Sequence, residues 1–191
     1  MSDAGVVSSW ITTQNASARA LIIVGFIVGL LTAGFWSLFI AAEILSDPGG
    51  VTGLLWVAAW LVPMAVLILL TLFTPGVARV VLMVLVGMFV IAIIATIIFA
   101  NAWNDFENTH GPVSLVVAVA LATPLVLLGR ARPYVAGLLL VITVVVPIIA
   151  AMIAFLGVRT IGGGIAMITV GIPFLVSAGL YLVAARMDRD A

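Results

Sequence analysis

Cysteine and lysine do not occur in this chain, and histidine occurs once, as His110. Without cysteine, disulfide bonds, thiolate metal sites and lipid attachment to a thiol are excluded. All seven basic residues are arginine, in a chain rich in Ala, Val and Gly. Because the codons for these residues are GC-rich and those for lysine are not, the composition indicates a GC-rich genome, and we expect a bacterial protein.

Charge of either sign is scarce as well. Asp, Glu, Lys and Arg together form 7% of the 191 residues, hydrophobic residues form 65%, and the mean hydropathy is +1.45. A soluble domain carries about a quarter charged residues. The composition therefore predicts an integral membrane protein whose surroundings are the lipid bilayer, and nucleic acid is not an expected partner.

Six apolar runs of roughly twenty residues account for most of the chain, and such a run crosses a hydrocarbon core about 30 Å thick as a helix. The runs lack the alternation of barrel strands, and a backbone in lipid must satisfy its own hydrogen bonds. The predicted fold class is therefore all-α, a polytopic membrane helical bundle with six transmembrane helices. The fourth span is the shortest and could be tilted or partly embedded. The predicted spans are 20–42, 51–73, 80–100, 113–129, 134–157 and 161–185.

Arginines are distributed unequally between the two sides that the alternating spans define. One side carries six of the seven, and the other side carries only Arg159. By the positive-inside rule the arginine-rich side is cytoplasmic, so we expect both termini in the cytoplasm and the chain in a bacterial inner cell membrane. The six are Arg19, Arg79, Arg130, Arg132, Arg186 and Arg189.

One membrane domain accounts for the chain, with short tails at either end. We expect residues 1–19 to form a cytoplasmic tail, residues 20–185 the six-helix transmembrane domain, and residues 186–191 a second cytoplasmic tail. In the first tail, Val6, Val7, Trp10 and Ile11 recur at the spacing of one helix face, which predicts a short helix on the membrane surface. A disordered tail is the alternative.

Small residues recur at every fourth position of the first span, at Gly25, Gly29, Ala33 and Ser37. Such a stripe lets a second helix approach closely, and in lipid this packing replaces the hydrophobic drive. Two interpretations follow. The stripe packs within the bundle, or it binds a membrane-protein partner or a second copy of the chain.

An external polar cluster is predicted from Glu43, Asp47, Asp105, Glu107 and His110. Hard cations favour oxygen ligands of this kind, but the spacing matches no established calcium loop. Solvated loops that end helices explain the same residues. We therefore predict no metal and no cofactor.

Groups that could carry out catalysis are missing from the predicted spans. A hydrolase inside the membrane needs a nucleophile with a base, paired aspartates or a metal cluster, and carriers coupled to ions place charged groups at depth. The spans offer only Ser and Thr hydroxyls, which we expect to bond the carbonyl four residues earlier, and the tyrosines Tyr134 and Tyr181, which with Trp36 and Trp103 we place at the membrane interfaces. The chain is predicted not to be an enzyme.

Two further patterns concern the architecture. Pro63, Pro124, Pro147 and Pro173 interrupt four spans near their middle, where proline removes one backbone hydrogen bond. Gly50 precedes Pro63 by the same interval as Gly111 precedes Pro124, a hint that spans two and three duplicate spans four and five.

Two functional hypotheses remain from the sequence. The first is a non-enzymatic accessory or assembly subunit that acts through helix packing. The second is a small transporter or channel for an apolar or weakly polar solute, which would need a polar lining of which the sequence has little.

Overall fold

The computed structural model describes residues 16–46, 50–111, 113–156 and 163–189 of the chain. This part is helical throughout apart from short turns, which confirms the all-α prediction. The predicted surface helix around Trp10, the tail beyond Arg189 and the cluster residue Asp47 lie outside the described residues. The helices are α1 (Ala16–Ser46), α2 (Gly50–Phe73), α3 (Pro75–Ile98), α4 (Ala100–His110), α5 (Val113–Leu128), α6 (Pro133–Leu156) and α7 (Gly163–Met187).

Five of these helices, α1, α2, α3, α6 and α7, are long and apolar enough to cross a membrane by length and composition. The helix α5 is also apolar, but it has 16 residues. At 1.5 Å per residue it is about 24 Å long, shorter than a hydrocarbon core of about 30 Å. The fourth predicted span is therefore a short helix, and the other five correspond to the long ones.

The five long helices form a ring around α5. Each of them packs against two neighbours, in the order α1, α2, α3, α6, α7 and back to α1, and α5 contacts all five. Most α5 side chains are buried, and Val117 is the exposed one. A helix that is hydrophobic on every side must be surrounded by other apolar groups, and here protein surrounds it rather than lipid.

Helices that are adjacent along the chain run in opposite directions, apart from the polar α4. Glycines allow close approach at several of these contacts. A Cβ at Gly53 would lie 2.7 Å from the Ile44 carbonyl oxygen, and a Cβ at Gly171 would lie 2.6 Å from Val144 Cγ1. As a consequence of these directions, the six arginines named above lie at one end of the bundle, whereas Glu43, at the end of α1, lies at the opposite end with α4.

The segment between α3 and α5 differs from its prediction as an external loop. It forms the polar helix α4, which begins one residue after Phe99 and packs against the end of α3. The rings of Trp103 and Phe106 lie 5.4 Å apart. Aromatic residues three positions apart within a polar run are typical of a helix at a membrane surface, and this pattern was available in the sequence.

The proposed duplication places its two halves in different environments. The helices α2 and α5 run in the same direction, but α2 belongs to the ring and α5 to the centre. Accordingly Pro63 is exposed, whereas Pro124 is buried. Both prolines lie inside continuous helices, as do Pro147 and Pro173.

Candidate functional site

The two ends of the central helix α5 are the places where the fold must satisfy polar backbone groups inside an apolar bundle. The last four carbonyls of any α-helix have no partner within it. Three of these in α5 accept N–H groups of the following turn, and the fourth, that of Val126, accepts the hydroxyl of Tyr181 at 2.8 Å. All four are therefore satisfied. The backbone bonds are Gly129 N to Leu125 O at 3.0 Å, Arg130 N to Leu127 O at 3.3 Å, Ala131 N to Leu128 O at 3.0 Å and Arg132 N to Leu128 O at 2.8 Å.

Tyr181 is fully buried among the helices, so its ring contacts protein and is not exposed as an interfacial ring would be; its level in the membrane stays a prediction. Its ring fits against two glycines on different elements. A Cβ at Gly129 would overlap the ring, and a Cβ at Gly25 would lie 3.1 Å from its Cε1 atom. The space for this tyrosine exists only because α1 and the end of α5 have no side chain there. Of the other predicted interface aromatics, Trp36 and Trp103 are half-buried and Tyr134 is exposed.

The small-residue stripe of α1 packs inside the bundle along most of its length. Gly25 and Gly29 are buried against α7 and α5, and a Cβ at Gly29 would lie 2.6 Å from Val126 Cγ2 and 3.0 Å from Ser177 Oγ. Ala33 is buried too. Ser37 is half-buried at the far end of the stripe. The glycines of this stripe thus make the contacts that the intramolecular interpretation requires.

At the other end of α5, Glu107 of α4 acts as a cap. Its Oε1 atom accepts a hydrogen bond from the Ser114 backbone N–H at 3.0 Å and one from the Ser114 hydroxyl at 2.6 Å. The first N–H groups of a helix lack partners and carry a partial positive charge, so a carboxylate is favourable at this position. As a member of the external polar cluster Glu107 carries no prediction of this role, although an acidic residue shortly before an apolar helix is a recognisable signal for a cap.

Two of the remaining members of the external polar cluster, Glu43 and Asp105, are described with their side chains, and both side chains are exposed. Glu43 lies near the end of α1, and Asp105 lies on α4. His110 is the last residue of α4, and its side chain lies outside the part of the chain that the structure describes. All of Asp47 lies outside this part as well. Among the described residues there is no group of three His, Asp or Glu side chains close enough to hold a metal ion.

Several hydroxyls within the long helices and α5 bond their own backbone, as expected from the sequence. Five of them donate to the carbonyl four residues earlier, so they present little polarity to a solute. They are Thr32, Thr71, Thr123, Thr143 and Ser177.

Two buried polar atoms have no hydrogen-bond partner in the described part of the chain, namely Ser37 Oγ on α1 and Trp60 Nε1 on α2. Gly53 packs against Ile44 in the antiparallel pair of α1 and α2, and Ser37 and Trp60 each lie seven residues from this contact, on α1 and α2 respectively. Each unsatisfied group costs free energy in an apolar environment. This pair is the polar exception within the packed hairpin of α1 and α2.

A small cavity lies among α5, α6 and α7, lined by Leu115, Thr143, Gly171 and Phe174 among others. Its enclosed volume is about 10 Å³, the lower limit for one water molecule. The Thr143 hydroxyl is turned to the Leu139 carbonyl. This cavity is too small and too apolar to hold an organic substrate.

The arginine-rich end of the bundle contains two contacts between a guanidinium and an aromatic ring. The Arg130 Cζ atom lies 5.0 Å from the centre of the Phe26 ring, and the Arg189 Cζ atom lies 4.7 Å from the centre of the Tyr134 ring. Such contacts are favourable and fix the position of the guanidinium.

Comparison of the chain with protein-family models, with curated proteins and with solved structures finds no match.

Proposed function

We propose that this protein is a six-span integral membrane protein with both termini in the cytoplasm. The five long apolar helices and the clustering of arginines at one end support this placement. The short α5 fits the proposal because ring helices, rather than lipid, surround it, so its length need not match the bilayer.

Reporter fusions test this topology. Fusions within residues 2–17 and after Ala191 should both report the cytoplasm, and a fusion near Asn108 should report the exterior. An exterior signal from the C-terminal fusion would mean an odd number of crossings. The short α5 would then be the helix that does not cross the membrane.

Within the membrane, we propose a non-enzymatic role as an accessory or assembly subunit. The observation that carries this proposal is the position of α5, which fills the axis of the ring where a channel or carrier would need a solute path. The hydroxyls turned to their own backbone and the small volume of the cavity support the same conclusion. What the ring offers to its surroundings is a set of apolar outer faces, which suit lipid and other membrane helices.

A partner that docks on α1 would use its outer face, because Gly25 and Gly29 already contact α5 and α7. Gly34 lies on that outer face, where a Cβ would meet nothing within 4 Å, beside the exposed Leu38. A protein partner or a second copy of the chain could approach there without displacing a helix of the bundle.

Flux measurements in proteoliposomes separate the accessory role from transport. We expect purified protein to conduct protons and cations no faster than protein-free liposomes, since the six predicted spans contain no charged residue. Glu43→Gln should leave this result and the folding of the protein unchanged. Robust flux that disappears in Glu43→Gln would overturn the accessory role and support the transporter.

A further inference from the structure

Arg130 stands apart from the other arginines at its end of the bundle. It is half-buried, whereas Arg19, Arg79 and Arg186 are exposed. It follows the last turn of the central helix, and its guanidinium lies over the ring of Phe26 on α1. The environment of this charge is therefore set by the bundle and not by solvent alone.

The contacts of Arg130 and Gly129 with α1 and α7 show how far Arg130 lies from the end of the bundle. Phe26 is seven residues beyond Arg19 along α1, which is about 10 Å at 1.5 Å per residue. The preceding Gly129 packs against Tyr181, which lies five residues before Arg186 on α7, about 8 Å by the same rise. The residues that Arg130 and Gly129 contact thus lie about one and a half to two turns inward of Arg19 on α1 and Arg186 on α7, so Arg130 is recessed from the ends of the bundle.

A recessed arginine in a membrane protein requires a compensating anion. Charged side chains at depth are costly unless they are paired or can reach the interface. No carboxylate among the described residues forms a salt bridge with Arg130, and the acidic residue described at this end, Asp188, is exposed. The Phe26 ring stabilises the cation but supplies no negative charge.

We propose that the Arg130 guanidinium binds the phosphate of an anionic phospholipid. The planar fork of arginine donates two parallel hydrogen bonds to phosphate oxygens, and the headgroup of an anionic phospholipid supplies negative charge at the edge of a membrane. Beside Phe26, α1 carries Ile23, Ile27 and Leu30 at helical spacing, and all three side chains are exposed. This apolar strip suits acyl chains, which a free phosphate ion lacks.

The matched variants for a test are Arg130→Gln and Arg79→Gln. Both remove one charge from the same end of the bundle, but Arg79 is exposed on α3, and α2 separates α3 from α1 in the ring. Binding of phosphatidylglycerol and phosphatidylcholine with identical acyl chains is measured by native mass spectrometry from mixed micelles. Wild type and Arg79→Gln should prefer phosphatidylglycerol, and Arg130→Gln should bind it about fivefold more weakly, the effect of about 1 kcal/mol per arginine.

Competition with inorganic phosphate distinguishes a phospholipid headgroup from a free phosphate ion as the anion bound by Arg130. Inorganic phosphate should not displace phosphatidylglycerol from the wild type. Displacement by phosphate, or stabilisation by phosphate that Arg130→Gln abolishes, would assign the site to the free ion and overturn the lipid. Equal retention of phosphatidylglycerol by Arg130→Gln and wild type would overturn the site itself.

A second measurement on wild-type protein covers the case in which Arg130→Gln does not fold. A photoactivatable phosphatidylglycerol should label the α1 segment around Phe26 more than the equivalent phosphatidylcholine does, and equal labelling would overturn the proposal. The inference of a lipid site rests on the membrane placement proposed above. It does not depend on which leaflet supplies the lipid or on the accessory role of the protein. The fusion and flux experiments can therefore fail independently of lipid binding.

Discussion

The hydroxyl of Tyr181 donates a hydrogen bond of 2.8 Å to the carbonyl oxygen of Val126, 55 positions earlier in the chain. The bond joins the end of the central helix to the C-terminal part of α7. It serves the one carbonyl of the last α5 turn that no backbone N–H reaches. The glycine at position 129 leaves the space that the ring occupies.

Removing this hydroxyl should destabilise the bundle while leaving its shape intact. We expect Tyr181→Phe to lower the free energy of unfolding by about 1–3 kcal/mol, because the Val126 carbonyl would stay buried without a partner. Thermal or denaturant unfolding in a mild detergent measures the change. Tyr134→Phe is the matched control, since that ring is exposed and keeps its contact with Arg189. Equal effects of the two variants would mean that the Val126 bond contributes nothing.

Two glycines of α1 provide a paired test of the packing. Gly29→Leu should destabilise the bundle strongly, because even a Cβ there would lie 2.6 Å from Val126 Cγ2. Overpacking of this kind costs about 1–3 kcal/mol or more. Gly34→Leu should be tolerated, since a Cβ at Gly34 meets nothing within 4 Å.

Unfolding and size-exclusion chromatography of both variants separate the two interpretations of the stripe. Loss of stability only in Gly29→Leu supports packing within one chain. If Gly29→Leu melted like the wild type but lost an oligomer, the stripe would instead be an interface between chains.

The cap on α5 predicts different outcomes for two neighbouring acidic residues. Glu107→Ala should lower stability by about 0.5–2 kcal/mol, the range for loss of a helix N-cap, because it leaves the Ser114 N–H without its acceptor. Asp105→Ala, on an exposed face of the same helix, should have little effect. Hydrogen exchange of the backbone amides at the start of α5 measures the cap locally. Unchanged protection of these amides in Glu107→Ala would mean that Glu107 does not cap α5.

Ser37 should behave in the opposite way to Tyr181. Its Oγ is buried without a partner, so Ser37→Ala removes a polar atom that costs free energy and leaves a small side chain in place. We expect stability to be unchanged or higher in an unfolding experiment. A clear loss of stability would mean that the hydroxyl has a partner in the membrane, such as a water molecule shared with Trp60.

Much of the secondary structure could be predicted from local sequence. The fourth and fifth predicted spans, 113–129 and 134–157, agree with Val113–Leu128 and Pro133–Leu156. The agreement arises because long apolar runs between Gly-Pro and Gly-Arg signals have few alternatives in lipid. The polar α4 was missed, since its pattern is short and resembles that of a solvated loop.

Which helix occupies the centre was decided by tertiary structure alone. All six runs are similarly apolar, so composition could not distinguish α5 from the helices around it, and its short length was the only local hint. The roles of Tyr181 and Glu107 likewise depend on partners brought close by folding, 55 positions away for the tyrosine and on a separate helix for the glutamate. Local sequence determines where apolar helices begin and end because each helix satisfies its own backbone. The neighbours of each helix are decided by packing, because contacts such as that of Tyr181 with Val126 join residues on different helices.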